Sequence, residues 1–275
     1  MAQNISTDQL LIRAFKLAHD PSKSDRSSEQ IDSVEHYYSR YLANAENSDT
    51  NYSLGLFLAS DYYASKRDSE KEEKLLMKFL KQELPIQYSI TLEIDLKPRN
   101  YFVRVNERLA IIRLKQKKYA AALEFMQNIQ DKSLSHFCGN YHLTIEPKRA
   151  DLVSDIYIGL NKPDSAIDVM LPYIFNEYNR DLTQFNKKLI QLLSEKYGAE
   201  KVRIETEKAF REFYGTVQHS NDTILKKDYY VNLFGTALKI TKLSDDASKD
   251  DELDIIRTYS TVLWESNFYK QLEEE

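Results

Sequence analysis

The sequence predicts an all-α chain, an α-α superhelix broken by one or two short extended segments, and three observations predict it. A two-helix pattern occurs twice, around 110–126 and around 154–170. In both copies a small residue on one helix precedes a methionine on the next by sixteen positions. Apolar residues recur at helical spacing along most of the remainder. Only six glycines and six prolines punctuate 275 residues, too few for the frequent turns of an all-β sandwich. Repeated helix pairs bury their apolar faces by stacking on neighbours, so residues 1–275 are expected to form one elongated domain. The clearest repeats span 101–130 and 148–178, and the C-terminal part, 222–275, shows no comparable copy.

The N-terminal helix is announced by a capping box, Ser6 to Gln9, ahead of Leu10, Leu11, Ala14, Phe15 and Ala18. His19-Asp20-Pro21 and the following serines end it. A second box, Ser27 to Gln30, opens a helix with Ile31, Val34, Tyr38, Tyr41 and Leu42 on one face. Residues 52–63 are apolar on several sides, which marks a buried helix. Asp68-Ser69-Glu70 caps its partner, whose stripe is Leu75, Leu76, Phe79 and Leu80.

Ile86, Tyr88, Ile90, Leu92, Ile94 and Leu96 alternate with polar residues, the period of a strand, and Lys97 to Asn100 makes a turn. Phe102, Val105, Leu109 and Ile112 restore the helical period and lead into the first repeat. Residues 131–147 are too many for a tight inter-helix turn and read as a loop with some extended structure. Past the second repeat, Asp181 to Gln184 caps a helix bearing Phe185, Leu189, Leu192 and Leu193, which Tyr197-Gly198 ends.

A further helix is expected from Val202 through Tyr214, then a break at 219–222. Residues 227–243 stay open: Tyr229-Tyr230-Val231 is β-like, whereas Phe234, Ala237, Leu238 and Thr241 suit a helix. Acidic 244–252 reads as a solvated loop, and a last helix over 255–272 carries Trp264.

These repeats resemble tetratricopeptide-repeat helix pairs. Ala110 and Ser154 match the family's small position on the first helix, and Ala122 and Ala166 the alanine early in the second. Tyr157 matches the first-helix aromatic and Tyr119 the aromatic opening the second helix. Small residues there let paired helices approach to about 8–10 Å. The pattern departs at Arg113, opposite Tyr157, at Pro163, opposite Tyr119, and in its 44-residue spacing against the usual ~34. A more divergent third copy is expected around Leu54-Gly55 and 75–79. The 138–140 loop with Leu160 and Leu171-Pro172 is also similar to exported bacterial repeat proteins. The resemblance implies a non-catalytic scaffold that binds a protein or peptide on its concave face, and Asn106, Arg113, Arg149 and Tyr157 are the candidate groove positions.

Charge and cysteine usage narrow the alternatives. The net charge of −5 disfavours nucleic acid as a partner, and the lone Cys138 excludes an internal disulfide framework. No apolar run reaches the roughly 20 residues of a membrane span. Met1-Ala2-Gln3-Asn4 before a polar cap looks like a mature exported chain given a new start methionine, which favours an exported or periplasmic location over a cytoplasmic one.

The sharpest chemical candidate is His136, Cys138 and His142, with Glu146 beyond, three soft or borderline ligands within seven residues. A structural zinc site usually adds a second ligand pair, which is missing, so a loop with a structural thiol is the favoured reading. His19, His36 and His219 have no partner motif. No nucleophile elbow, P-loop or dinucleotide fingerprint occurs. No catalytic residue, metal or cofactor is expected; a metal- or redox-linked role for the Cys138 loop and an enzyme with a dispersed site are the alternatives. Most of the 19 tyrosines are expected to pack rings inward with wet hydroxyls, although Tyr37, Tyr38, Tyr41, Tyr62 and Tyr63 are also candidates for a binding face.

Overall fold

The computed structural model describes residues 6–19, 28–45, 51–82, 101–129, 141–175, 182–220, 223–240 and 259–274. These are mostly helical. They fall into two compact units, residues 1–135 and 136–275, each with its own core.

Unit 1 holds α1 (Thr7–Ala18), α2 (Ser28–Asn44), α3 (Tyr52–Ser65), α4 (Ser69–Leu80), α5 (Tyr101–Lys115) and α6 (Tyr119–Gln127). The Ser6–Gln9 capping box forms: the Gln9 amide donates to Ser6 Oγ at 3.3 Å, and the Ser6 amide to Gln9 Oε1 at 3.4 Å. Two of the orphan amides at the helix start are thereby satisfied. Ser27, expected to cap α2, lies outside the described residues, as do the strand-like 86–96 and the loop 244–252.

As its all-round hydrophobicity predicts, α3 is enclosed on most sides, with Leu54, Leu56, Phe57, Leu58, Ala59 and Tyr62 buried. Gly55 sets the approach of α2: a Cβ there would stand 2.0 Å from Cε1 of the fully buried Tyr41 ring.

Three helix pairs, α3–α4, α5–α6 and α7–α8 in unit 2, close through one and the same turn. Arg67, Lys117 and Asn161 adopt left-handed backbone at φ 59°, 57° and 57°. The amides of Asp68, Lys118 and Lys162 reach back to the carbonyls of Tyr63, Arg113 and Tyr157 at 3.0, 2.9 and 2.9 Å. Those of Arg67, Lys117 and Asn161 reach Ala64, Leu114 and Ile158 at 3.0, 2.9 and 2.9 Å. This is the Schellman arrangement, which satisfies the last carbonyls of the first helix and redirects the chain.

Counted from that turn, Ala110 and Ser154 occupy equivalent places, as do Ala122 and Ala166, and all four are fully buried. The same count places Ser60 as the third small residue, Leu76 as the counterpart of Met126 and Met170, and Glu72 where the others carry alanine. The third copy is therefore registered on Ser60 and Leu76.

Unit 2 holds α7 (Tyr141–Gly159), α8 (Pro163–Met170), α9 (Thr183–Tyr197), α10 (Ala199–Arg211), strands β1 (Tyr214–Ser220), β2 (Thr223–Leu233) and β3 (Thr236–Ile240), and helices α11 (259–264) and α12 (Asn267–Glu274). Residues 141–147, expected as loop, are helical: Pro147 lies inside α7, where it forfeits one backbone hydrogen bond. Pro163 stands at the first helical position, where its missing N–H would have no partner in any case. Gly198, at φ 88° and ψ 135°, ends α9 and starts α10 in a single residue, with positive φ as expected but an extended ψ. Leu182 precedes α9 without a side-chain cap, and Asp181 lies outside the described residues.

The C-terminal part corrects the sequence reading most. The helix expected through Tyr214 stops at Arg211, and Tyr214 opens a three-stranded antiparallel sheet in the order β1-β2-β3. Eleven residues of β2 exceed the short extended segments expected. Residues 228–240 resolve as strand, because Tyr229, Val231, Leu233, Leu238 and Ile240 are buried in period-2 alternation. Phe234 and Gly235, both at positive φ, join Leu233 to its partner Thr236 in a two-residue primed turn. The Phe234 ring stacks on Tyr197 at 4.9 Å. The last helix is two helices: Ser266 Oγ accepts from the Tyr269 amide at 3.2 Å and starts α12 afresh.

Candidate functional groove

The candidate positions Asn106 and Arg113 lie in unit 1, Arg149 and Tyr157 in unit 2. Asn106 is fully buried; its amide donates to the Phe102 carbonyl at 2.8 Å and its oxygen accepts from Asn128 at 3.4 Å. Arg113 pairs with Glu73 of α4 at 2.5 Å and donates to Gln116 at 2.9 Å, joining α5 to the preceding hairpin. Arg149 is half-buried and lies close enough to Tyr173 to act on its hydroxyl, whose pKa burial nonetheless raises. The half-buried Tyr157 ring packs on the unit 2 core. All four are engaged within their own units.

The tyrosine rings pack inward as expected, but the hydroxyls of Tyr38 and Tyr41 are buried with them instead of reaching water. Tyr38, Tyr41, Tyr62 and Tyr63 are buried, and Tyr37 is packed against the same core. Tyr63 remains within reach of polar partners: its hydroxyl donates to Glu35 Oε1 at 3.1 Å, where Lys71 Nζ also binds at 2.8 Å. Burial, then the Glu35 carboxylate, pushes the Tyr63 hydroxyl up to about 12, and the Lys71 bond lowers Glu35 below the ordinary carboxylate value.

A more open site lies in unit 1 against α5. A groove of about 510 Å³ is lined by Ala64 and Arg67 at the end of α3, Ser69 and Glu72 at the start of α4, and Arg108, Ile111, Ile112 and Lys115 of α5. Three cations and one carboxylate face it, in a chain that is acidic overall. Ile111, 38% exposed, is one of the few large apolar side chains left uncovered.

Arg67 and Lys115 are exposed and have no ion-pair partner among the described residues. Arg108 is held tightly instead. Its Nε and one terminal nitrogen reach Glu72 Oε1 at 2.9 and 2.7 Å, the other terminal nitrogen meets Asp61 Oδ1, and the guanidinium lies 5.5 Å from the Phe57 ring centre. A charge fixed by a nearly enclosed carboxylate keeps its geometry while a surface pair would fluctuate.

Sequence reasoning passed over these residues. Arg104, Arg108, Ile111 and Lys115 form an i, i+4, i+7, i+11 stripe along α5, bordering the buried Val105, Leu109 and Ile112. That stripe was the available signal.

Unit 2 has an acidic counterpart of about 430 Å³, lined in part by Glu200, Glu207, Glu273 and Tyr269. There Arg203 binds both Glu200 oxygens at 3.0 Å and Arg211 binds Glu207 at 3.0 Å. Among the described residues no three His, Cys, Asp or Glu side chains gather closely enough to hold a metal ion, and no helix is long and apolar enough to cross a membrane. His136 and Cys138 lie outside the described residues, as does the side chain of His142, so the candidate Cys138 loop does too. Comparison of the sequence with protein-family models finds no match, and comparison with curated proteins finds none either.

Proposed function

We propose that the chain is a non-catalytic protein- or peptide-binding scaffold, an α-α superhelix of hairpins like those of tetratricopeptide repeats. The groove on α5 carries this reading. It brings the uncovered Ile111 and the unpaired Lys115 of a first helix together with the unpaired Arg67 of the preceding hairpin's turn, and that helix is held to the hairpin by Arg108 and Arg113. An apolar anchor site with a charged rim is what recognition of an extended segment requires. The three shared Schellman turns support the repeat architecture, because the same closure recurs whichever side chain occupies the left-handed position.

Selection of displayed random peptides on the full chain tests the proposal. Selected peptides should lose at least about tenfold in affinity to Ile111→Glu or Lys115→Glu, both surface changes that leave the core intact. Equal affinity for parent and both variants would remove the groove from the binding face.

A further inference from the structure

Resting on that reading, the geometry points to an acidic, apolar-anchored segment of a partner protein as the occupant of the groove, with Arg108 as its binding cation and Asp61 as an internal stand-in for the partner's carboxylate.

A guanidinium offers two hydrogen-bonding edges. The inner edge of Arg108, Nε and one terminal nitrogen, is committed to Glu72, whose side chain is 12% exposed. Stripping that contact would leave a carboxylate shut away from water, which is costly. The outer nitrogen is committed to Asp61, whose side chain is 42% exposed. Because Asp61 keeps far more access to water than Glu72, exchanging its bond to Arg108 for another carboxylate costs less than exchanging the bond to Glu72. The two carboxylates therefore do different work: Glu72 positions the arginine, and Asp61 occupies the place that an incoming carboxylate would take.

The surroundings favour such an exchange. Arg67 and Lys115 line the same groove, exposed and unpaired among the described residues, and they attract an anionic segment that the chain's net charge of −5 repels elsewhere. Ile111 and Ala64 give an apolar side chain a seat beside the charges. Single-stranded nucleic acid fits less well. No aromatic ring lines the groove on which a base could stack, and Glu72 within the groove and Asp61 beside it, on Arg108, oppose a dense row of phosphates.

The probe is a short fluorescein-labelled peptide of alternating glutamate and leucine, followed by anisotropy against the full chain at low salt. Asp61→Asn and Asp61→Ala should bind it about threefold or more tightly than the parent, Lys115→Glu should bind it more weakly, and added salt should weaken all of them. Thermal melting of each variant establishes that it is folded. If the parent binds the peptide and both Asp61 variants bind it no better, Asp61 is not a competitor and this inference falls, while the peptide-binding reading stands. If selected non-acidic peptides bind but the acidic probe does not, the partner chemistry is wrong. If a single-stranded oligonucleotide binds the groove more tightly than the probe, the peptide assignment fails in favour of nucleic acid. No binding by any peptide overturns both the inference and the reading beneath it.

Discussion

Hairpins α3–α4 and α7–α8 share a backbone plan and handle charge in opposite ways. Each closes through a Schellman turn, and each buries a serine, Ser60 or Ser154, where its helices cross. In α7–α8 the facing residue is Ala166, and charge stays at the rim: Lys188 of α9 reaches Asp151 and Asp155 at 2.5 Å each, and Ser154 Oγ at 3.4 Å. In α3–α4 the facing residue is Glu72, so a carboxylate stands at the crossing itself and draws Arg108 in from α5. Asp61 and Asp155, each one residue after the crossing serine, both accept from the next helix along. Only the first hairpin adds a buried acid behind that contact. The same scaffold thus accommodates a charge at its tightest point when a partner of fixed, forked geometry satisfies it.

The largest effect should come from abolishing that difference. Glu72→Ala recreates the crossing of α7–α8 but leaves Arg108 largely enclosed with Asp61 alone. About 2–4 kcal/mol of unfolding free energy should be lost, a little under the cost of orphaning a wholly buried charge. Adding Arg108→Leu should recover part of it, because it removes the orphaned charge, while the smaller Ala–Leu pair leaves the site underpacked. Urea denaturation measures both. A single-variant loss below about 1 kcal/mol would show that the pair is only a surface contact.

This comparison also explains what the sequence disclosed. The sixteen-residue interval is legible where alanine marks the second helix, as in Ala122 and Ala166, and hidden where Glu72 replaces it. Spacing accordingly puts the third copy around Leu54-Gly55 and 75–79, which includes Leu76 but not Ser60, although those two keep the interval. Helices with one clear stripe, such as α1 and α9, were legible from spacing alone. The sheet was not, because Phe234-Gly235 lacks the usual Asn-Gly turn signal and Leu238 fits either period. The groove was missed for a reason of phase. Arg113 is polar and sits on a first helix, but it points at Glu73 of the preceding helix, and the stripe of Arg108, Ile111 and Lys115 runs along another face. Spacing locates a face; which face is left uncovered depends on the neighbouring helix.

A smaller effect is expected at the rim of α7–α8. Burial works against the Lys188 charge, yet its hydrogen bonds to Asp151 and Asp155 outweigh that and raise its pKa above the ordinary lysine value. With the folded pKa raised, the contribution is fully present below the unfolded value near 10.5 and is lost only as pH rises through the folded one. Lys188→Met keeps the aliphatic stem and removes the charge. It should cost about 1 kcal/mol at neutral pH, since both aspartates are close to half exposed and can return to water. A loss as large as that of Glu72→Ala would mean that the two hairpins use charge alike.

The smallest effect probes what the hairpins have in common. Arg67 and Asn161 both hold left-handed backbone, φ 59° and 57°, and a side chain in that conformation costs about 1 kcal/mol or more relative to glycine, less for asparagine. Replacing either by glycine relieves this but adds freedom to the unfolded chain, so the net gain is a difference of two similar terms. Arg67→Gly should therefore stabilise by about 0.5 kcal/mol, and Asn161→Gly by close to nothing. Differential scanning calorimetry of the two variants against the parent would resolve the order. An equal gain at both sites would mean that asparagine has no advantage in this turn. A loss at Arg67 would mean that its side chain stabilises the fold by more than its backbone conformation costs, which would remove it from the set of cations free to meet a ligand in the groove.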